Sequence, residues 1–266
     1  AEDYLGQPML KTTLDVPNGS VSAYVLPYFR EREFPQNGAR LSTPIPVSRD
    51  AQFESGADDR HVDWAIRYEL HTDFLDLGVH HFSGTDREPF LQPTVTQSGA
   101  PILIPHYRQI RQWGVDAQLT LGSWLFKLEA LQRWGQDEPF AAQVVGFEYT
   151  QYQVGGSSAD LGWVLEYLKD DRDQFNAPAT FLQDDIFVGL RLGFNNTADT
   201  QLLAGYYHDT QTDEQLLRVE FSHRFGSSLT LEVNANGIFQ SVATSPLYPI
   251  RRDSFLSTTL RYHLGG

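Results

Sequence analysis

Apolar and polar residues alternate with a period of two along almost the whole chain, and a helical period is hard to find. Leu217, Val219, Phe221, His223 and Phe225 alternate with Arg218, Glu220, Ser222 and Arg224. After Gly226-Ser227-Ser228 the pattern resumes with Leu229, Leu231, Val233 and Ala235 against Thr230, Glu232, Asn234 and Asn236. Val62 to His71, Trp113 to Leu121, Trp124 to Ala130 and Leu256 to Leu264 repeat it. Such segments are strands with one apolar and one polar face. The pattern predicts strands over 20–33, 61–72, 74–84, 110–121, 123–134, 140–154, 158–170, 182–195, 199–209, 213–225, 228–240 and 253–264. Most exceed the ~5–6 residues of ordinary sheets and suit the ~9–11 needed for a tilted strand to cross a bilayer.

The connections alternate in length. Thr72-Asp73, Gly122, Gly155-Gly156-Ser157, Asn196-Thr197-Ala198 and Gly226-Ser227 are tight, whereas 34–60, 85–109, 135–139, 171–181, 210–212 and 241–252 are longer and polar. Aromatic residues fall into two sets. Trp64, Trp134, Phe140, Phe187, Phe239 and Phe255 lie toward the long-loop ends, and Trp124, Phe194, Phe225 and Tyr262 toward the short-turn ends. Amphipathic rings favour the headgroup level, so the two sets read as girdles. The competing reading is the core of a soluble barrel or sandwich. Residues 8–16 followed by Pro17-Asn18-Gly19 resemble one further strand and turn, which would make the strand number odd.

Composition narrows the class. The 266 residues are 41% hydrophobic and 20% charged, with 21 Gly and no Cys, which excludes disordered, collagen-like and disulfide-stapled chains. No apolar run approaches ~18 residues, so a helical membrane span is excluded, but strands that cross with every second residue are not. The net charge of −14 argues against nucleic acid as a partner. Lysines occur only at Lys11, Lys127 and Lys169, and arginine supplies the other cations, as suits charges that are paired and partly buried.

With its alternating strands, sorted loops and last segment, Phe255-Leu256-Ser257-Thr258-Thr259-Leu260-Arg261-Tyr262-His263-Leu264, the chain resembles a Gram-negative outer-membrane β-barrel. That family usually closes with an alternating strand ending in an aromatic pair spaced by two. Tyr262 fits the first place; Leu264 replaces the terminal aromatic, and Gly265-Gly266 follow. Val25-Leu26-Pro27-Tyr28-Phe29-Arg30-Glu31-Arg32-Glu33-Phe34-Pro35 is similar, more loosely, to uncharacterised proteobacterial porin-like proteins. The resemblance implies one all-β domain over 1–266, an antiparallel up-and-down transmembrane β-barrel of about 12–14 strands in the bacterial outer membrane. It implies outer-membrane lipid and lipopolysaccharide as surroundings, with the long loops outside the cell.

If the apolar register faces lipid, the other register lines the interior. It carries Arg30, Arg67, Glu69, Asp116, Lys127, Glu129, Arg133, Glu148, Glu166, Asp185, Arg191, Arg218, Glu220, Arg224, Glu232 and Arg261. Opposite charges on neighbouring strands are expected to pair, since an unpaired charge in a confined lumen is costly. Such a ladder sets the field of a narrow pore, or plugs a closed barrel with ion pairs. The function expected is passive diffusion of small polar or ionic solutes, without chemistry, cofactor or metal. Alternatives are a closed scaffold for protein docking, with homo-oligomerisation open, and a lipid-modifying hydrolase. For the hydrolase, Ser83 and His81 share a face, but no Gly-x-Ser-x-Gly or His-Glu-x-x-His motif occurs. The clusters Glu54/Asp58/Asp59, Asp137/Glu138, Asp170/Asp171/Asp173, Asp184/Asp185 and Asp213/Glu214 are expected as solvated loop charge.

Overall fold

The computed structural model describes residues 6–36, 38–39, 42–135, 138–173, 175–245 and 247–264. Asp137 and Gly265-Gly266, named above, lie outside the described residues. The chain forms β1 (Leu10–Val16), β2 (Gly19–Leu26), β3 (Gln52–Phe53), β4 (Asp63–His71), β5 (Leu75–Thr85), β6 (Phe90–Val95), β7 (Pro101–Tyr107) and β8 (Gln109–Leu121). It continues with β9 (Trp124–Trp134), β10 (Phe140–Gln151), β11 (Asp160–Asp170), β12 (Asp184–Gly193), β13 (Gln201–Asp209), β14 (Gln215–Phe225), β15 (Leu229–Gln240) and β16 (Phe255–Tyr262). Thirteen of these form one sheet in the order β1-β2-β4-β5-β8-β9-β10-β11-β12-β13-β14-β15-β16. The fold is all-β, and sequence neighbours lie side by side throughout that sheet.

Each of the twelve strands expected from the alternation is present, and residues 10–16 add the thirteenth, paired along their length with β2 from Leu10↔Val25 to Val16↔Gly19. Within the thirteen-stranded sheet the pairing is antiparallel wherever the register is defined, and it preserves the two faces: Val25↔Trp64, Ala23↔Ile66 and Val21↔Tyr68 carry apolar residues, and Ser22↔Arg67 and Ser20↔Glu69 polar ones. β14 and β15 continue this with Val219↔Ala235 and Phe221↔Val233 on one face and Glu220↔Asn234 on the other.

Two expectations about extent are corrected. The strand expected over 20–33 stops at Leu26, before Pro27, and Arg30 therefore lies on an irregular segment and not on a strand. The long connections are not structureless: β3, β7 and β6 form a second, three-stranded sheet within them. Phe29, Phe53 and Tyr107 cluster there, with Phe29 and Tyr107 rings 4.7 Å apart. The Tyr107 hydroxyl accepts the Arg32 backbone N–H at 2.8 Å. Prolines at 93, 101 and 105 within β6 and β7 hide this hairpin from a strand pattern, since proline is confined to strand edges and ends.

The contacts divide the chain into two compact units, 1–117 with 129–143 and 170–180, and 118–128 with 144–169 and 181–266. The first holds the second sheet and the Phe29–Phe53–Tyr107 cluster. The second holds β12 to β16.

Candidate functional site

The charged register is knitted together by ion pairs, and glycines on that register let some of them pass over an intervening strand. In the first unit the Arg67 guanidinium donates to both carboxylate oxygens of Asp116, at 2.7 and 2.9 Å, and to Glu69 at 2.9 Å. β5 lies between β4 and β8, and the residue beneath the pair is Gly78. A Cβ there would stand 2.2 Å from Arg67 Nη2 and 2.5 Å from Asp116 Oδ2. Gly114 similarly accommodates the His80 ring, whose Cε1 would lie 2.2 Å from an added Cβ. Arg133 donates to Gln112 at 2.9 Å and lies 3.4 Å from Asp86 and 3.5 Å from Glu88.

The second unit repeats the device. Glu148 lies 4.0 Å from Lys127 and 3.6 Å from Arg191, with Gly162 under its carboxylate. Arg261 pairs with Glu232 at 2.9 Å and Arg218 with Glu220 at 2.5 Å. Lys127 reaches Glu148 on the neighbouring strand, and Glu129 has no ion pair among the described residues. Glu166 faces Phe187 across β11 and β12, and Asp185 stands opposite Asp209 across β12 and β13. Arg224 donates to the Thr197 carbonyl at 3.2 Å. Arg30 is exposed, its backbone N–H bonded to Gln7.

Three aromatic assignments change. Trp64, Trp134, Phe239, Phe255, Trp124, Phe194, Phe225 and Tyr262 are exposed. Phe140 and Phe187, by contrast, are only 2% and 9% exposed. Phe187 lies on the charged register, its ring over Gly205 and 4.5 Å from that of Tyr207. Phe140 takes the guanidinium groups of Arg133 and Arg172 against its ring, at 5.3 and 4.6 Å. Phe255 pairs with Asn236, on the polar register, and not with the apolar one.

Sequence reading missed the anchor of the long connections. Asp63, 1% exposed, accepts the Thr85 backbone N–H at 2.9 Å, contacts His61 at 2.8 Å and lies 2.9 Å from Arg87. Arg87 in turn stacks on Phe29 at 4.7 Å. Asp86 is buried beside Arg133, and that burial holds its carboxyl above the usual aspartate range against the pull of Arg133. Burial likewise pushes the Tyr107 hydroxyl up. Nearby, residues 28–36, 42–43, 46–49, Asp59 and Pro105 line an open cavity of about 1030 Å³ with Arg30, Arg32 and Arg49 on its wall.

The loop carboxylates are not simply solvated. Asp184, Asp185 and Glu214 are buried, Glu54 accepts the Gln109 N–H at 2.6 Å, and Asp173 accepts that of Phe175 at 2.9 Å. Short polar side chains that accept backbone N–H groups shape turns this way. Among the described residues no group of three or more His, Asp or Glu side chains could hold a metal ion. Ser83 and His81 do share the apolar register of β5, opposite Trp64 and Ile66. His81 is held between two tryptophan rings. A scan against protein-family models, a search of curated proteins and a search of solved structures returned no match.

Proposed function

We propose that the thirteen-stranded sheet is the wall of an outer-membrane β-barrel that lets small polar or ionic solutes diffuse through its interior. The observation that carries this reading is the sorting of exposure between the two registers. Trp64, Ile66, Tyr68, Trp113, Trp124, Phe126, Trp163, Leu165, Val188 and Leu190 stand exposed on one register, while the other holds the ion-paired charges. A water-soluble sheet has the opposite need, because large contiguous apolar patches on a soluble surface associate or aggregate. In lipid the same face is satisfied, and nearly all the charges of the strands are kept from it.

The alternation of connections supports the same reading. Along the chain, 27–62, 86–108, 171–183 and 241–254 alternate with the tight turns 17–18, 72–74, 122–123 and 226–228. The sorting expected for the others fails: 152–159 and 194–200, expected as tight, are longer than 135–139 and 210–214, expected as long. Long loops on one side and short turns on the other are the habit of outer-membrane barrels, whose long loops face outward.

A second reading rests on the ladder itself. Arg67–Asp116 and Lys127–Glu148–Arg191 cross between strands, and in a narrow interior such bridges can fill the lumen and leave a closed scaffold. Planar-bilayer recording of the purified chain decides between them. Defined conductance steps are expected; insertion without steps establishes the closed scaffold instead. Failure to insert, with full solubility in the absence of detergent, overturns the membrane reading altogether.

A further inference from the structure

Charge is nearly absent from the apolar register of the thirteen strands. Alternation places three charged residues on it: Arg111 on β8, Lys169 on β11 and Asp184 on β12. Lys169 and Asp184 are direct cross-strand partners and form an ion pair, which the Tyr167 hydroxyl joins at 2.7 Å. Arg111 has no such partner. It is exposed and makes no ion pair or hydrogen bond with a described residue. An uncompensated guanidinium on a face otherwise built for hydrocarbon is costly unless something outside the protein answers it.

The surroundings of Arg111 are specific. It stands two residues from Trp113 on the same face, near the start of β8 and next to a long connection. The His81 ring lies between the indoles of Trp113 and Trp64, with centroids 4.6 and 5.0 Å away and interplanar angles of 41° and 54°. Trp64 and Trp113 are 46% and 51% exposed. The His81 Nδ1 is buried without a hydrogen-bond partner. Three adjacent strands, β4, β5 and β8, therefore present one aromatic shelf with a lone cation at its edge. Indole rings favour the boundary between acyl chains and headgroups, and a guanidinium forks onto phosphate oxygens.

We infer that Arg111, with Trp64, His81 and Trp113, is a docking site for the phosphate of an anionic lipid headgroup, in the leaflet at the long-connection ends of the strands. This rests on the membrane reading above and adds to it a fixed lipid position. The shelf packs against the glycerol or sugar base and upper acyl chains; the guanidinium takes the phosphate. Elsewhere on the same register the residues are neutral or, at Lys169 and Asp184, paired with each other, so the site is local and does not spread around the sheet.

Native mass spectrometry of the full chain folded in detergent micelles tests this, with phosphatidylglycerol and phosphatidylcholine of identical acyl chains as probes. The wild type is expected to retain one phosphatidylglycerol in preference to phosphatidylcholine. Arg111→Gln is expected to weaken that retention about fivefold, the effect of one basic side chain at an anionic surface. Arg111→Lys should keep most of it, and Lys127→Gln, on the other register, all of it. Trp113→Leu should weaken retention of both lipids. Folding is read separately by faster gel migration of the unheated chain, which Arg111→Gln should leave intact. Equal retention by wild type and Arg111→Gln overturns the inference while leaving the membrane reading in place. A chain that neither folds in micelles nor inserts in bilayers overturns both.

Discussion

At the residue scale the polar register depends on where side chains are missing as much as on where they stand. Gly78 and Gly162 each sit beneath an ion pair that spans a strand, and Gly205 sits beneath the Phe187 ring. The three differ in what a methyl group would displace. At Gly78 it meets the far end of a flexible arginine, which can move, and the Arg67–Asp116 pair is part-exposed and of small net worth. At Gly205 it would lie 2.2 and 2.4 Å from two ring carbons of a buried phenylalanine. A rigid ring has nowhere to go, so Gly205→Ala is expected to cost ~1–3 kcal/mol in urea unfolding from micelles. Adding Phe187→Leu should recover part of that loss, with a coupling of ~0.5 kcal/mol or more. Strictly additive costs would mean that the close approach is not the cause. Gly78 was readable as a polar-register glycine between Asp76 and His80, but the partners that cross over it were not: Asp116 is far away in sequence, and its register with Arg67 is set only by the assembled sheet.

At the element scale the strands were legible and the connections were not. Period-two alternation reports a local fact, which face each residue takes, and it survives because lipid or a core must be met at every second position. It located all twelve long strands and the seven residues of β1. The second sheet depends on contacts distant in sequence, Phe29 with Tyr107 and Asp63 with Thr85 and Arg87, which no local period announces. The same network carries a pH dependence. Because the Asp86 carboxyl is held above its ordinary value by burial, the folded chain binds that proton more tightly than the unfolded chain. Its stabilising share is whole below the unfolded value of about 4 and is lost as pH rises through the folded value. Urea midpoints in micelles are expected to fall over that interval, and Asp86→Asn should flatten the fall. An unchanged slope would show that Asp86 is not its source. The cost falls where the newly ionised carboxylate is buried, just after β5 and beside Arg133 of β9, so the loss should loosen the long connections before the strands.

At the scale of the whole molecule, net charge and the charge lining the proposed channel are separate quantities. The chain carries −14, yet the interior-register residues named from the sequence are evenly divided between signs, and most cations among them are answered. Arg67, Lys127, Arg133, Arg191, Arg218 and Arg261 each face a carboxylate within ion-pair distance. Many other carboxylates lie in connections, where ~0.1 M salt screens them beyond a Debye length of ~10 Å. A channel lined in this way has little residual field with which to sort ions, because selectivity follows the unpaired charge at the narrowest point and not the formal total. The reversal potential across a salt gradient at ~0.1 M is therefore expected to stay far below the limit for a perfectly selective pore. A near-limiting potential of either sign would overturn this. The ladder also predicts the direction in which selectivity can be moved. Glu148 answers two cations at once, Lys127 and Arg191, so Glu148→Gln should leave both unpaired and shift the reversal potential toward anions. Glu129→Gln, which releases no cation from an ion pair among the described residues, should shift it less. If the two variants shift it equally, total charge governs the pore and the pairing does not.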